Sequence, residues 1–183
     1  MRFLRTLAAT ALLLLPLGRA DVRGCACDVS KRETMAATEC SLCRQAEAQP
    51  AEPQFFFIKD ANPTKPNRML ALPRFHGASP QELAGMTAAE RTAYWTASIA
   101  KARELWGDQW GLAMNGLERR TQCHAHIHIG KLLDGAENDR FVLVDGPADI
   151  PVPHDGTGIW VHPVGNRLHA HLGDQAAELV LQR

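Results

Sequence analysis

The chain has 183 residues, enough for one domain around a single core once any targeting segment is set aside. Its 20 Lys and Arg balance 20 Asp and Glu, and removing residues 1–20 takes away three arginines and no acids, leaving a mature charge of −3. That excludes nucleic acid as the main partner, because binding a phosphate backbone needs a dense basic surface.

Residues 1–20 read as a signal peptide. Arg2 and Arg5 give a positive start, and Leu7 to Leu17 is an apolar run too short to span a bilayer. Gly18-Arg19-Ala20 then offers small residues for cleavage before Asp21. The expected location is exported, periplasmic or secreted; an uncleaved anchor is the alternative reading. Residues 21–53 form a polar, alanine-rich extension closed by Pro50 and Pro53. It carries Cys25, Cys27, Cys40 and Cys43 as C-x-C and C-x-x-C pairs. In an oxidising compartment these suggest two disulfides, with Cys123 left over as the odd thiol. Lipidation at Cys25 fits poorly after Arg23-Gly24.

Residues 54–183 read as one folded unit. Phe55 to Ile58 and Arg68 to Leu72 are strand-like, joined by a loop holding Pro63 and Pro66. Ser79-Pro80-Gln81-Glu82 has the form of a helix start. Thr87 to Glu90 repeats that capping logic for a longer helix whose Trp95, Ile99, Ala102 and Trp106 share one face, with Gly107 as its stop. Further strands are expected over Trp110 to Asn115, His124 to Leu132 and Phe141 to Val144. Gly158 to His162 and Arg167 to Leu172 form a hairpin turning at Gly165-Asn166. The fold class is α+β: an antiparallel meander with one long helix, a cysteine-bearing N-terminal extension and a C-terminal hairpin.

Gln122 to Ile129 alternates strictly. In a strand, residues two apart share a face, so His124, His126 and His128 point one way and Ala125, Ile127 and Ile129 the other. Three adjacent imidazoles repel if more than one is charged, so such a row calls for an anion or a metal. A neutral imidazole can attack phosphorus while a neighbour stabilises the non-bridging oxygens.

His124-Ala125-His126-Ile127-His128-Ile129 resembles the H-φ-H-φ-H signature of the histidine-triad superfamily, with Gly130 departing at its final apolar position. Phe57-Ile58-Lys59-Asp60, Pro63 and Leu70 to His76 are similar to that family's strand-loop-strand ending in P-x-x-H. Within the superfamily, Leu112-Ala113, Asn115, Arg120-Thr121-Gln122 and His126 to Ile129 look closest to the CDP-diacylglycerol pyrophosphatase branch. The resemblance implies a histidine-triad fold and a phosphoric anhydride hydrolase with His126 as nucleophile on the nucleotide's α-phosphorus, releasing a nucleoside monophosphate. It implies that His128 and His124 hold phosphate oxygens or orient the nucleophile and that His76 closes the cleft. Asn115, Thr121 and Gln122 would bind the phosphate or leaving group, and Asp60 the ribose side. A CDP-diacylglycerol-like substrate is favoured; a soluble dinucleoside polyphosphate or nucleoside phosphoramidate is the alternative. The chemistry itself needs no cofactor.

The resemblance also implies a structural zinc held by Cys40, Cys43, His76 and His124, which disulfides at those cysteines would exclude. A reading of another class is an exported zinc- or copper-binding protein using the cysteine and histidine clusters, the late group His154, His162, His169 and His171 included. The partner is then a nucleotide-containing small molecule or lipid-linked nucleotide; peripheral membrane contact and a homodimer stay open.

Overall fold

The computed structural model describes residues 22–76 and 82–183. The signal-peptide reading and most of the Ser79 to Glu82 helix start fall outside them; a single 3-10 turn, Leu83–Gly85, follows the second gap.

Among the described residues, seven antiparallel strands form one sheet: β1 (Phe55–Lys59), β2 (Met69–Pro73), β3 (Trp110–Met114), β4 (Ile127–Lys131), β5 (Val142–Val144), β6 (Ile159–Val164) and β7 (Arg167–Leu172). Their order is β1-β2-β4-β3-β6-β7-β5. Among the described residues a short helix α1 (Ser41–Glu47) and a long helix α2 (Ala88–Trp106) accompany the sheet, giving the expected α+β class. Thr87 caps α2 in a full capping box with Glu90, and Gly107 ends it at φ +56°. The β6–β7 hairpin turns at Gly165, φ +60°.

Alternation along the strands separates two faces of the sheet. One packs against α2: Trp95, Ile99 and Ala102 meet Leu112, Ile127, Ile129, Val161 and Ala170 in the main core. The other face is covered in pieces. Leu42 and Ala46 of α1 pack on Phe56, Leu70 and Leu72 at the β1–β2 end. The C-terminal segment crosses the middle, where Ala177 and Leu181 bury Ala113 and Trp160.

Two glycines permit that crossing. Gly111 and Gly130 are register partners on β3 and β4. A Cβ on Gly111 would stand 2.5 Å from Leu181 Cδ2, and one on Gly130 3.3 Å from Leu181 Cβ. Gly130, where the sequence departs from the histidine-triad signature, is therefore the seat of the C-terminal tail. The tail is fastened there by Gln182 N–H donating to the Lys131 carbonyl and Leu133 N–H donating to Val180, each 2.8 Å. Arg68 holds it from below, donating from Nε to the Gln182 carbonyl at 2.8 Å.

The cysteine expectation is corrected. Cys25 bonds Cys123 and Cys27 bonds Cys40, with Cα separations of 5.8 and 5.7 Å. The free thiol is Cys43, not Cys123. Cys40 lies just before α1, while Cys43 sits within it three residues on, where its sulfur turns toward His76 and His124. Cys123 Sγ instead meets the strand-less segment that opens the extension. Disulfides suit an oxidising compartment and are compatible with an extracellular protein. Among the described residues, no helix is long and apolar enough to cross a membrane.

Candidate functional site

Between α1 and the C-terminal tail, the sheet face opposite α2 is left open as a cavity of about 380 Å³. His126 and His128 form part of its lining, with Asp60, Asn115, Thr121, Gln122 and Glu178. Lys59, Lys65, Arg119 and Arg120 bring four cationic side chains to the same lining, against the two carboxylates.

The histidine row reaches this cavity in a different way from a continuous strand. β4 starts only at Ile127, because the Cys25–Cys123 bond and the Cys123 N–H donated to the Glu39 carbonyl (2.8 Å) hold the preceding residues to the extension rather than to a neighbouring strand. The alternation persists even so: Ala125, Ile127 and Ile129 are in the core, and the three imidazoles are buried on the far side of the chain.

The three histidines then divide. His124 Nε2–H donates to the Pro73 carbonyl, 2.7 Å, and its ring packs edge-on against His76, 4.8 Å between centroids. Neither His124 nor His76 is in the cavity lining; His76 faces Glu47 through Nδ1, 3.1 Å away. His124 orients the nucleophile candidate through its backbone: His126 Nδ1–H donates to the His124 carbonyl at 2.8 Å. A carbonyl can only accept, so the proton is on Nδ1 and the lone pair on Nε2. Burial holds His126 well below the ordinary histidine range, with His128 and Arg120 adding to the effect. Burial likewise pushes His124 down to about 4. His126 is thus a neutral imidazole with one nitrogen spoken for and the other nucleophilic.

His128 lies beside it, ring centroids 5.0 Å apart. Its Nδ1 faces two carboxylates, Glu178 Oε2 at 3.5 Å and Asp60 Oδ2 at 3.7 Å. Burial would raise Asp60, but His128 and the Asn62 backbone N–H outweigh it and hold the carboxyl at about 2. Asp60 also makes the turn that the following prolines suggest, its Oδ1 accepting Asn62 N–H at 2.9 Å. Glu178 is charged as well: burial pushes it up, yet His128 and Lys65 bring it below the usual carboxylate range. Lys65 and Arg68 both pair with it, Arg68 Nη1 at 2.7 Å.

Asn115 and Gln122 are engaged with protein. Asn115 Oδ1 accepts the Glu178 N–H, 2.9 Å, so this asparagine pins the tail at the cavity. Gln122 Oε1 accepts from Ser41 Oγ (2.7 Å) and Leu42 N–H (3.2 Å), and its amide donates to the Thr38 carbonyl (3.1 Å), clamping the start of α1 to the wall. Glu178, Lys65 and Arg119 were not singled out from the sequence. Glu178 lies far along the chain in no motif, and only the Gly111 and Gly130 pair hints that something packs there.

No family model matches the chain, and no curated protein does. Its function rests on the chemistry of the site.

The residues also gather into groups able to hold a metal. Cys43, His76 and His124 converge, as do Asp60, His128 and Glu178, and Glu137, His162, His169 and His171. The four-ligand zinc set of the sequence reading does not assemble. Cys40 is bonded to Cys27 and has no thiolate to offer. Burial also pushes the Cys43 thiol up to about 11. His154 is outside the late histidine group, and Glu137 takes its place.

Proposed function

We propose that the chain is a hydrolase of nucleotide phosphoanhydrides, working through a nucleotidyl-histidine on His126. One observation carries this reading: a buried, neutral imidazole, tautomerically fixed by a carbonyl, lines a cavity rich in cationic side chains. The histidine-triad resemblance of His124 to Ile129 agrees with it.

In this reading His126 Nε2 attacks the α-phosphorus, forming a P–N bond as the bond to the leaving phosphate oxygen breaks. Build-up of positive charge on the ring is eased by the His124 carbonyl on Nδ1–H. His128, steadied by Glu178 and Asp60, stabilises the non-bridging oxygens, and the cations of the lining offset the negative charge of the leaving group. Water then cleaves the P–N bond, giving a nucleoside monophosphate and restoring the neutral imidazole.

The cavity volume suits a nucleotide with its phosphates. Two acyl chains would not fit in it, so a lipid-linked substrate keeps its chains outside, in the bilayer. Leu42, Ile58 and Leu70 supply the apolar part of the lining. The test is a substrate panel of CDP-diacylglycerol, diadenosine polyphosphate and adenosine phosphoramidate, read by the nucleoside monophosphate released. Turnover of CDP-diacylglycerol above the other two supports the favoured substrate; turnover of none of the three rules the reading out.

A further inference from the structure

At the β6–β7 end of the sheet, away from the cavity, His162, His169 and His171 meet Glu137 from the loop that precedes β5. They share the sheet face of the proposed active site. Residues Leu70, His128, Ala113, Trp160 and His171 are successive register partners across the strands, so Ala113 and Trp160 stand between the two places. We propose that Glu137, His162, His169 and His171 form a binding site for a divalent transition-metal ion, zinc by its donor set.

The distances have the scale of a coordination shell. Ligand atoms around a tetrahedral ion with bonds of roughly 2.0–2.1 Å stand about 3.3–3.4 Å from one another. Here His162 Nε2 and His171 Nε2 are 3.4 Å apart, His171 Nε2 is 3.2 Å from Glu137 Oε1, and His169 Nδ1 is 3.3 Å from Glu137 Oε2. The His162 Nε2 to Glu137 Oε2 edge is shorter, 2.6 Å. All four residues offer ligand atoms lying within 4.8 Å of one another.

The rings are also held in place from behind. Trp160 stacks flat on His171, 3.4 Å between centroids, and Phe141 on His169 at 3.6 Å. Asn138 Oδ1 lies 3.3 Å from His171 Nδ1. A proton on Nδ1 donated to that oxygen leaves the Nε2 lone pair directed at the cluster, the usual outer support of a metal-bound histidine. Two Nε2 atoms facing each other and one shared carboxylate need a cation between them, a proton or a metal. Three nitrogens and one oxygen favour zinc over magnesium or calcium, which prefer oxygen shells, and over copper(I), which prefers sulfur. Such an ion would staple the exposed Glu137 loop onto the buried face of the hairpin.

The experiment uses the full mature chain, purified without an affinity tag and stripped with a chelator. Titration with zinc alone should show one equivalent bound. Cobalt substituted for it should give tetrahedral d–d bands without a thiolate charge-transfer band. Glu137→Gln is isosteric at a surface position and should weaken zinc binding at least tenfold with the circular dichroism spectrum unchanged; His169→Ala should do the same. Cys43→Ser and His128→Ala should leave one equivalent in place. Absence of zinc binding, binding unchanged in both Glu137→Gln and His169→Ala, or binding lost in Cys43→Ser or His128→Ala would overturn the proposal.

Discussion

At the scale of single residues, the proposed site depends on one imidazole being kept neutral and pointed by a carbonyl. His126→Ala removes the attacking nitrogen, so turnover of any phosphoanhydride substrate should fall by roughly a thousandfold or more, with the circular dichroism spectrum unchanged. Retention of near wild-type turnover would exclude the role. Asn115 separates two effects. Its Oδ1 accepts the Glu178 N–H, so Asn115→Ala should slow turnover less than His126→Ala and also lower the melting temperature. Loss of that bond leaves a half-buried donor to find water instead, a cost of about 1 kcal/mol. His126, His128, Asp60, Asn115, Thr121 and Gln122 were all legible as site candidates, because the triad pattern and the residues before it are local in sequence. The actual work of Gln122 and His124 was not. Gln122 spends its amide on Thr38, Ser41 and Leu42, and His124 contributes a backbone carbonyl; both depend on which distant segment packs alongside.

At the scale of elements, the long helix was the easiest to read. Thr87 and Glu90 satisfy each other's backbone donors, and the apolar spacing from Trp95 to Ala102 gives its buried face. Thr87→Ala should cost about 1 kcal/mol, seen as a fall of roughly 2–4 °C in melting temperature for a chain of this size; no change would mean the cap is not formed. α1 escaped a reading from sequence. Seven residues are too few to carry a helical period, and its stability comes from Leu42 and Ala46 against β1 and β2. β4 is shorter than its sequence pattern, Ile127–Lys131 rather than His124 to Leu132, for the opposite reason. Alternation of core residues with imidazoles on the opposite side continues through His124 to His126, but pairing does not, since the disulfide at Cys123 draws that segment to the extension.

At the scale of the whole molecule, the extension, the sheet and the tail are tied together by bonds that span the chain. Cys25–Cys123 closes a separation of 98 residues, worth up to about 4.7 kcal/mol of stability by loop entropy alone. Thiol titration of the unfolded, unreduced protein should find one reactive cysteine, and peptide mapping should place the label on Cys43. Label on Cys123 would contradict the pairing. The buried neutral histidines set the pH response. His124 falls from 6.5 to about 4 on folding, so below pH 6.5 the unfolded chain binds a proton that the folded chain refuses. Stability is therefore full above that pH and is lost between pH 6.5 and 4, by on the order of 3 kcal/mol for this group. Chelator-treated protein melted across that range should show the fall; a flat profile would mean His124 is not buried uncharged. The proposed chemistry has its most direct test in the mass of the intact chain. Acid-free rapid quench during turnover should reveal a population heavier by one nucleotidyl group, mapped by fragmentation to His126 and missing from His126→Ala. Substrate turnover with no such adduct on the wild-type chain at any quench time, or an adduct that persists in His126→Ala, would contradict a nucleotidyl-histidine at this residue.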